Sequence, residues 1–186
     1  MKNMTSNQKR ILNSLNRRIS KFESTELAKE IYADEAFASS IFKKLESGNA
    51  KVASNILWSF RSLKRQELPI VHNLCHKILC LIEEFPEEEG ILRDGTALLQ
   101  EIQIPEDLQS KVFDMCFGFL QNSTSSIASK AFLMTVCYRI AESFPELLKE
   151  LALQIQENIF LQGSTSPGIY TRGNAVLKKI NQRLRK

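Results

Sequence analysis

Two stretches of the chain repeat one another, and this restricts the fold more than any other sequence feature. Residues 90–102 read GILRDGTALLQEI, and residues 168–180 read GIYTRGNAVLKKI. Glycine, isoleucine, a second glycine, alanine, leucine and a second isoleucine recur at matching places. Self-similarity of this kind is typical of a chain built from repeated structural units. The sequence therefore predicts a repeat protein.

The repeat extends to four stretches when each is aligned on its leading aliphatic residue. The leading residues are Val52, Ile91, Ile127 and Ile169, which lie 39, 36 and 42 positions apart. Four positions later the residues are Ile56, Gly95, Ala131 and Gly173; eleven positions later they are Leu63, Ile102, Tyr138 and Ile180. A helix that packs in a layer needs bulky residues to fill it and a small one where two segments approach closely. We expect the aligned stretches to be equivalent helices.

Apolar residues recur at spacings of three and four along most of the chain, and 7 Gly and 5 Pro are few for 186 residues. The pattern predicts an all-α protein with a single domain over residues 1–186. The first predicted helix is 6–22, the second is short, is capped by Ser24 and Thr25 and runs through Tyr32, and the third is capped by Asp34 and ends at Ser47-Gly48-Asn49. The fourth is 50–63, and the fifth is 68–85, with Pro69 in its first turn. The remaining predicted helices are 88–103, 106–121, 126–143, 146–161 and one from 169 into the basic tail.

A period near 40 with two helices in each unit resembles the HEAT and armadillo-like families. The unit that carries the resemblance best is 110–145, with Val112 to Leu120 on its first helix, and Ile127 and Ala131 on its second. The resemblance implies a right-handed α-α superhelix of about five HEAT-like helical pairs. It also implies that residues 1–33 are basic capping helices and that residues 34–186 are the repeats. Members of these families serve as scaffolds, transport receptors, enzyme regulators and, in one bacterial branch, DNA glycosylases.

Charge is distributed unevenly along the chain, although the net charge is only +4. Residues 1–21 contain six Lys or Arg and no acid, and so does the chain after Glu157. Between Glu83 and Asp107, nine carboxylates accompany only Arg93. The pattern favours solvated helix faces with charge complementarity along the array, and nucleic-acid contact at the basic ends is the alternative.

The sequence contains no recognisable catalytic or cofactor-binding motif, which favours a non-enzymatic protein without a cofactor. Cys75, Cys80, Cys116 and Cys137 form no Cys-x-x-Cys pair and lie in apolar helical patterns, so we expect buried free thiols. The N-terminus lacks a secretory signal, which together with the thiols predicts a cytoplasmic protein. His72 and His76 have the helical spacing of a zinc-ligand pair, but no third ligand is evident, so no metal site is predicted.

The resemblance also implies that the second helix of each unit lines a concave, partner-binding surface. The candidate contact residues on these helices are Asn55, Asp94, Lys130, Arg172, Lys179 and Arg183. The last three fall on one side of the final helix at 100° per residue. Because the row mixes charges, it favours a protein partner over nucleic acid. Lys130, Arg172, Lys179 and Arg183 favour an acidic segment of that partner. A HEAT-like nucleic-acid-binding or DNA-repair protein, similar to the glycosylases, is the alternative.

Overall fold

A computed structural model of the chain describes residues 4–46, 48–63 and 71–185, apart from the side chains of residues 71 and 72. The described residues form ten α-helices and no strand. The helices are α1 (Ser6–Ser14), α2 (Lys21–Ala33), α3 (Glu35–Lys44), α4 (Ala50–Phe60), α5 (Val71–Glu84), α6 (Glu89–Leu99), α7 (Glu106–Gln121), α8 (Ile127–Ala141), α9 (Pro145–Gln162) and α10 (Pro167–Leu184). Within these residues no helix is long and apolar enough to cross a membrane.

The chain divides into two compact units, unit 1 over Met1–Gln103 and unit 2 over Ile104–Lys186. In unit 1 α1 packs on α2, α3 on α4 and α5 on α6, and α4 also packs on α6. In unit 2 α7 packs on α8 and α9 on α10, and α8 also packs on α10. Within each unit, neighbouring helical pairs therefore contact each other through their second helices. The prediction of an all-α fold made of about five HEAT-like helical pairs is confirmed, whereas the single domain over residues 1–186 stays a prediction.

The four aligned stretches begin within the second helices α4, α6, α8 and α10, and in the first two the helix ends before the eleventh position, Leu63 or Ile102. The glycines four positions after the leading isoleucines of α6 and α10 permit close packing of each helix on the first helix of its pair. A Cβ added to Gly95 would lie 2.9 Å from Cγ2 of Ile78 on α5. A Cβ added to Gly173 would lie 2.8 Å from Cδ1 of Ile159 on α9, and 3.2 Å from Cγ2 of Ile155. The repeated glycine is therefore a packing requirement within a pair.

The N-terminal region differs from the prediction of one helix over residues 6–22 with a cap at Ser24 and Thr25. The chain leaves the helical conformation after Ser14, and Ser20 caps α2 by accepting a hydrogen bond from the amide of Glu23. The Glu23 carboxylate accepts in return from the Ser20 amide at 2.8 Å. This reciprocal capping box explains the error, because it starts a new helix inside the apolar stripe. Ser24 is buried within α2 rather than at its end.

Other helix boundaries agree with the sequence more closely. Asp34 caps α3, and Gly48 adopts the left-handed conformation, with φ of 64°, that a glycine stop after a helix requires. α4 ends at Phe60, before the predicted Leu63. α10 begins at Pro167, two residues earlier than predicted. The predicted start of the fifth helix at residues 68–70, with Pro69, lies outside the described residues, as does Ser47.

Three of the four cysteine thiols are buried as expected: those of Cys75, Cys116 and Cys137. Cys80 is the exception, because its side chain is half-buried on the outer side of α5. All four are free thiols.

Candidate partner-binding face

Three basic side chains of α10 contact α8 in unit 2. An Nη atom of Arg172 donates to the Thr135 hydroxyl at 3.4 Å. The ammonium of Lys179 lies 5.6 Å from the ring centre of Tyr138, a cation–π contact. All three basic residues of the predicted set on α10, Arg172, Lys179 and Arg183, are exposed to solvent. We name these three side chains the basic row.

Contacts with α8 fix the position of the basic row. Nε of Arg183 donates to the carbonyl oxygen of Glu142, the residue that caps the C-terminus of α8, at 3.1 Å. A cation at this end of a helix is favourable because the last carbonyls carry partial negative charge. The Tyr138 hydroxyl donates to the Glu142 carboxylate at 3.4 Å, and burial, followed by the Glu142 charge, raises the pKa of Tyr138. Tyr138 is therefore a neutral hydrogen-bond donor beneath Lys179 at physiological pH.

The other three predicted contact residues are buried and hold the fold together. Asn55 on α4 is 5% exposed, and its Nδ2 donates to the carbonyl oxygens of Leu15 at 2.9 Å and Arg17 at 2.7 Å. These carbonyls follow α1, where the backbone has no helical partner. Asn55 therefore closes the break between α1 and α2, and its side chain has no surface to present to a partner.

Asp94 on α6 is fully buried and accepts hydrogen bonds from two arginines. Nη1 of Arg61, at the C-terminus of α4, lies 2.5 Å from Oδ1, and Nη2 of Arg93 lies 3.0 Å from Oδ2. The guanidinium of Arg93 is bidentate, since its Nε also donates to Oδ1 at 3.2 Å. A buried carboxylate needs such partners to compensate for its lost hydration. Asp94 therefore links α4 to α6 in unit 1.

Lys130 on α8 is 2% exposed and reaches into unit 2. Its ammonium donates to Oδ1 of Asn158 at 2.9 Å and to Oε1 of Gln162 at 3.3 Å, both on α9. Asn158 in turn donates from Nδ2 to the Leu120 carbonyl at 3.2 Å. Burial lowers the pKa of Lys130, and the Glu157 charge opposes this shift. The expectation that Asn55, Asp94 and Lys130 are exposed is thus wrong, because hydrogen bonding draws each of them inward.

Comparison with known protein families accounts for this arrangement. Residues 11–180 match the family model described as HEAT repeat domain. The chain belongs to the HEAT repeat domain family. No curated protein and no solved structure matches it. The match begins at residue 11, within α1, and the division into capping helices 1–33 and repeats 34–186 stays a prediction.

The structure describes the side chain of one member of the histidine pair, His76. The imidazole of His76 lies beside Cys80, with Nδ1 3.7 Å from Sγ. The side chain of His72 lies outside the described residues. Among the side chains that the structure describes, no three His, Cys, Asp or Glu are placed to hold a metal ion.

A cavity of about 450 Å³ in unit 2 was not foreseen from the sequence. It lies between the start of α7 and the junction of α8 with α9, and its wall combines Phe113, Ile140 and Phe144 with acidic residues such as Asp114. Phe144 is 49% exposed. An aromatic residue before a proline gives no sequence signal for a surface position, so this cavity could not have been predicted.

Proposed function

We propose that this HEAT repeat domain is a non-enzymatic scaffold that binds an acidic segment of a protein partner along the basic row of α10. The observation that carries the proposal is that Arg172, Lys179 and Arg183 are exposed on one flank of α10, in line along α8. The row spans eleven residues of helix, about 16 Å at 1.5 Å per residue. An extended segment of about five residues covers this length.

The surroundings of the basic row suit a peptide. Ala175, which lies between Arg172 and Lys179 along α10, is exposed, so no large side chain covers the helix there. Tyr138 adds an aromatic surface and a hydroxyl next to Lys179. Exposed charges contribute to the association rate and to selectivity, whereas a flat aromatic surface contributes contact area. The proposed partner segment therefore contains several carboxylates and at least one apolar side chain.

Nucleic acid is the second candidate, and one observation favours it: α10 contains no acidic residue over its whole length. Phosphates spaced along a duplex could contact the same cations. The Glu142 carboxylate beside Tyr138 disfavours a duplex, whose phosphates have a fixed spacing, more than a peptide that can place its apolar side chain at this point. We therefore rank a protein partner first.

The proposal is tested by titrating the protein into a fluorescein-labelled peptide of alternating glutamate and leucine. A labelled random-sequence duplex is the second probe. We expect saturable binding of the peptide that weakens with salt, because exposed charges are screened over about 8 Å at physiological ionic strength. The variant Arg172→Glu/Lys179→Glu/Arg183→Glu should abolish it. The matched control is Lys29→Glu/Lys43→Glu/Lys44→Glu, which changes the net charge equally at exposed positions of unit 1 and should bind like the wild type.

Equal loss of peptide binding in both triple variants would refute the role of the basic row, since only net charge would then matter. If the protein binds the duplex in preference to the peptide, and only the α10 variant loses this binding, nucleic acid rather than a protein is the partner. Circular dichroism of each variant checks that the helices remain intact.

A further inference from the structure

The flank of the α9–α10 pair that points away from α7 and α8 carries large apolar side chains. On α9, Asn158 faces α7, and on α10 the basic row faces α8. At 100° per residue, Leu153 and Phe160 fall on the opposite side of α9, and Tyr170, Leu177 and Leu184 on the opposite side of α10. Phe160 is 85% exposed, Leu153 68% and Tyr170 56%. We name this surface the apolar flank.

The apolar side chains of the two helices are in register. Gly173 lies against both Ile155 and Ile159, which sets the relative height of the two antiparallel helices. At 1.5 Å per residue this contact puts Phe160 level with Tyr170, and Leu153 level with Leu177. The apolar side chains of the two helices therefore lie at matching heights, and the exposed polar residues Gln156 and Lys149 of α9 lie among them on the same flank. Large apolar side chains exposed together in this way are characteristic of interaction surfaces.

The two edges of the apolar flank carry opposite charges. Along the free edge of α9 lie the exposed residues Glu146, Glu150 and Glu157, and along the free edge of α10 lie Lys178 and Arg185. The same register puts Glu150 near the height of Lys178. Glu146 falls near the height of Arg185 and is also ion-paired with Lys149 of its own helix at 3.1 Å. An acidic edge on one helix and a basic edge at the same heights on the other make this surface complementary to itself.

From this geometry we infer that the apolar flank is the interface of a symmetric homodimer, in which α9 of each copy packs antiparallel on α10 of the other. A two-fold axis parallel to the helices brings each residue opposite one of the same height. Phe160 then meets Tyr170 of the second copy, and Glu150 meets Lys178. An axis perpendicular to the helices would place acidic edge on acidic edge, which is unfavourable. A two-fold interface uses the same patch on both copies, as this surface requires.

The homodimer leaves the proposed function intact, because the basic row is on the other flank of α10. It also goes beyond that function: a dimer presents two basic rows and could bind two acidic segments of one partner, which raises the apparent affinity without new contacts.

Sedimentation velocity of the 186-residue chain over a range of concentrations tests the inference. We expect a concentration-dependent dimer, and we expect Phe160→Glu to weaken dimerisation by roughly tenfold or more, as for a central aromatic residue of an interface. Since Phe160 is 85% exposed, this change should not unfold the helix. The control is Phe22→Glu, at an aromatic residue of unit 1 that is 67% exposed, which should dimerise like the wild type.

A charge swap tests the pairing of α9 with α10. Glu150→Lys and Lys178→Glu should each weaken the dimer, and the double variant Glu150→Lys/Lys178→Glu should restore it. A wild-type chain that stays monomeric, or a dimer that survives Phe160→Glu, would overturn the inference. A double variant that is weaker than either single variant would also overturn it, because it would show that these side chains do not face each other.

Discussion

Helices α6 and α10 share the repeated sequence pattern but differ in how much of their surface is buried. In each, the fourth residue after the leading isoleucine is a glycine that packs on the first helix of its pair. Eight of the eleven residues of α6 are buried, from Ile91 to Leu99, whereas only Ile169, Gly173, Val176 and Ile180 are buried among the eighteen of α10. The shared pattern therefore encodes the packing within a pair and not the environment of the whole helix.

The charged residue three positions after the leading isoleucine shows the consequence of this difference. In α6 it is Asp94, which is fully buried between two arginines, and in α10 it is Arg172, which is exposed. The same repeat position is thus structural in one helix and available for binding in the other. Equivalent positions of a HEAT repeat cannot be assigned one role from alignment alone.

Removing the partners of Asp94 should have the largest effect. In Arg61→Met/Arg93→Met the buried carboxylate loses both cations, and we expect the free energy of unfolding to fall by about 3 kcal/mol. Arg172→Met at the equivalent position of α10 should change it by less than about 0.5 kcal/mol. Urea denaturation of both variants measures the difference. Similar losses in the two variants would show that α6 and α10 are equivalent after all.

Replacing the repeated glycine by a large side chain should lower the free energy of unfolding by an intermediate amount that is similar in α6 and α10. In Gly95→Leu and in Gly173→Leu the new side chain overlaps an isoleucine of the first helix, and each should cost about 1–3 kcal/mol through overpacking. The control is Gly118→Ala on α7, where a Cβ meets nothing within 4 Å, and we expect it to stabilise the protein by about 0.5–1 kcal/mol. A neutral Gly173→Leu would mean that α10 does not pack on α9 as described.

The smallest effect concerns Lys130, at the equivalent position of α8. Burial lowers its pKa in the folded state, so between the folded and unfolded pKa values the folded protein binds fewer protons than the unfolded chain. The contribution of Lys130 to the free energy of unfolding should therefore increase as the pH is raised from the folded pKa towards the unfolded pKa. The same contribution is lost when the pH falls back through the folded pKa. Lys130→Met should lack this rise.

Measuring unfolding of wild type and Lys130→Met from pH 8 to 10.5 tests this prediction, because the other titrating groups cancel in the difference. Parallel pH profiles would show that Lys130 is hydrated in the folded state, as Arg172 is.

Periodicity was sufficient to predict the all-α class, the helical pairs and the second helices that contain Val52, Ile91, Ile127 and Ile169 near their N-termini. It failed at residues 15–20, because the apolar stripe continues there while the capping box of Ser20 and Glu23 starts a new helix. A serine followed three residues later by glutamate was the available signal.

The candidate site was predictable only on α10. Helical spacing places Arg172, Lys179 and Arg183 on one side, but it does not tell which side is exposed. Lys130 and Asp94 are charged, and charged residues are rarely buried without partners. Their burial depends on Asn158 and Gln162 for Lys130, and on Arg61 for Asp94, residues 28 to 33 positions away in sequence. Such long-range contacts cannot be inferred from one sequence.

The measurement that tests the central proposal most directly is a two-dimensional ¹H–¹⁵N NMR titration of the chain with the unlabelled acidic peptide. We expect the shifted resonances to cluster on the flank that α8 and α10 share, around Arg172, Lys179 and Tyr138, while those of α6 around Asp94 stay unchanged. Shifts that centre on unit 1, or no shifts at a peptide concentration that saturates the fluorescence signal, would contradict the assignment of binding to α10.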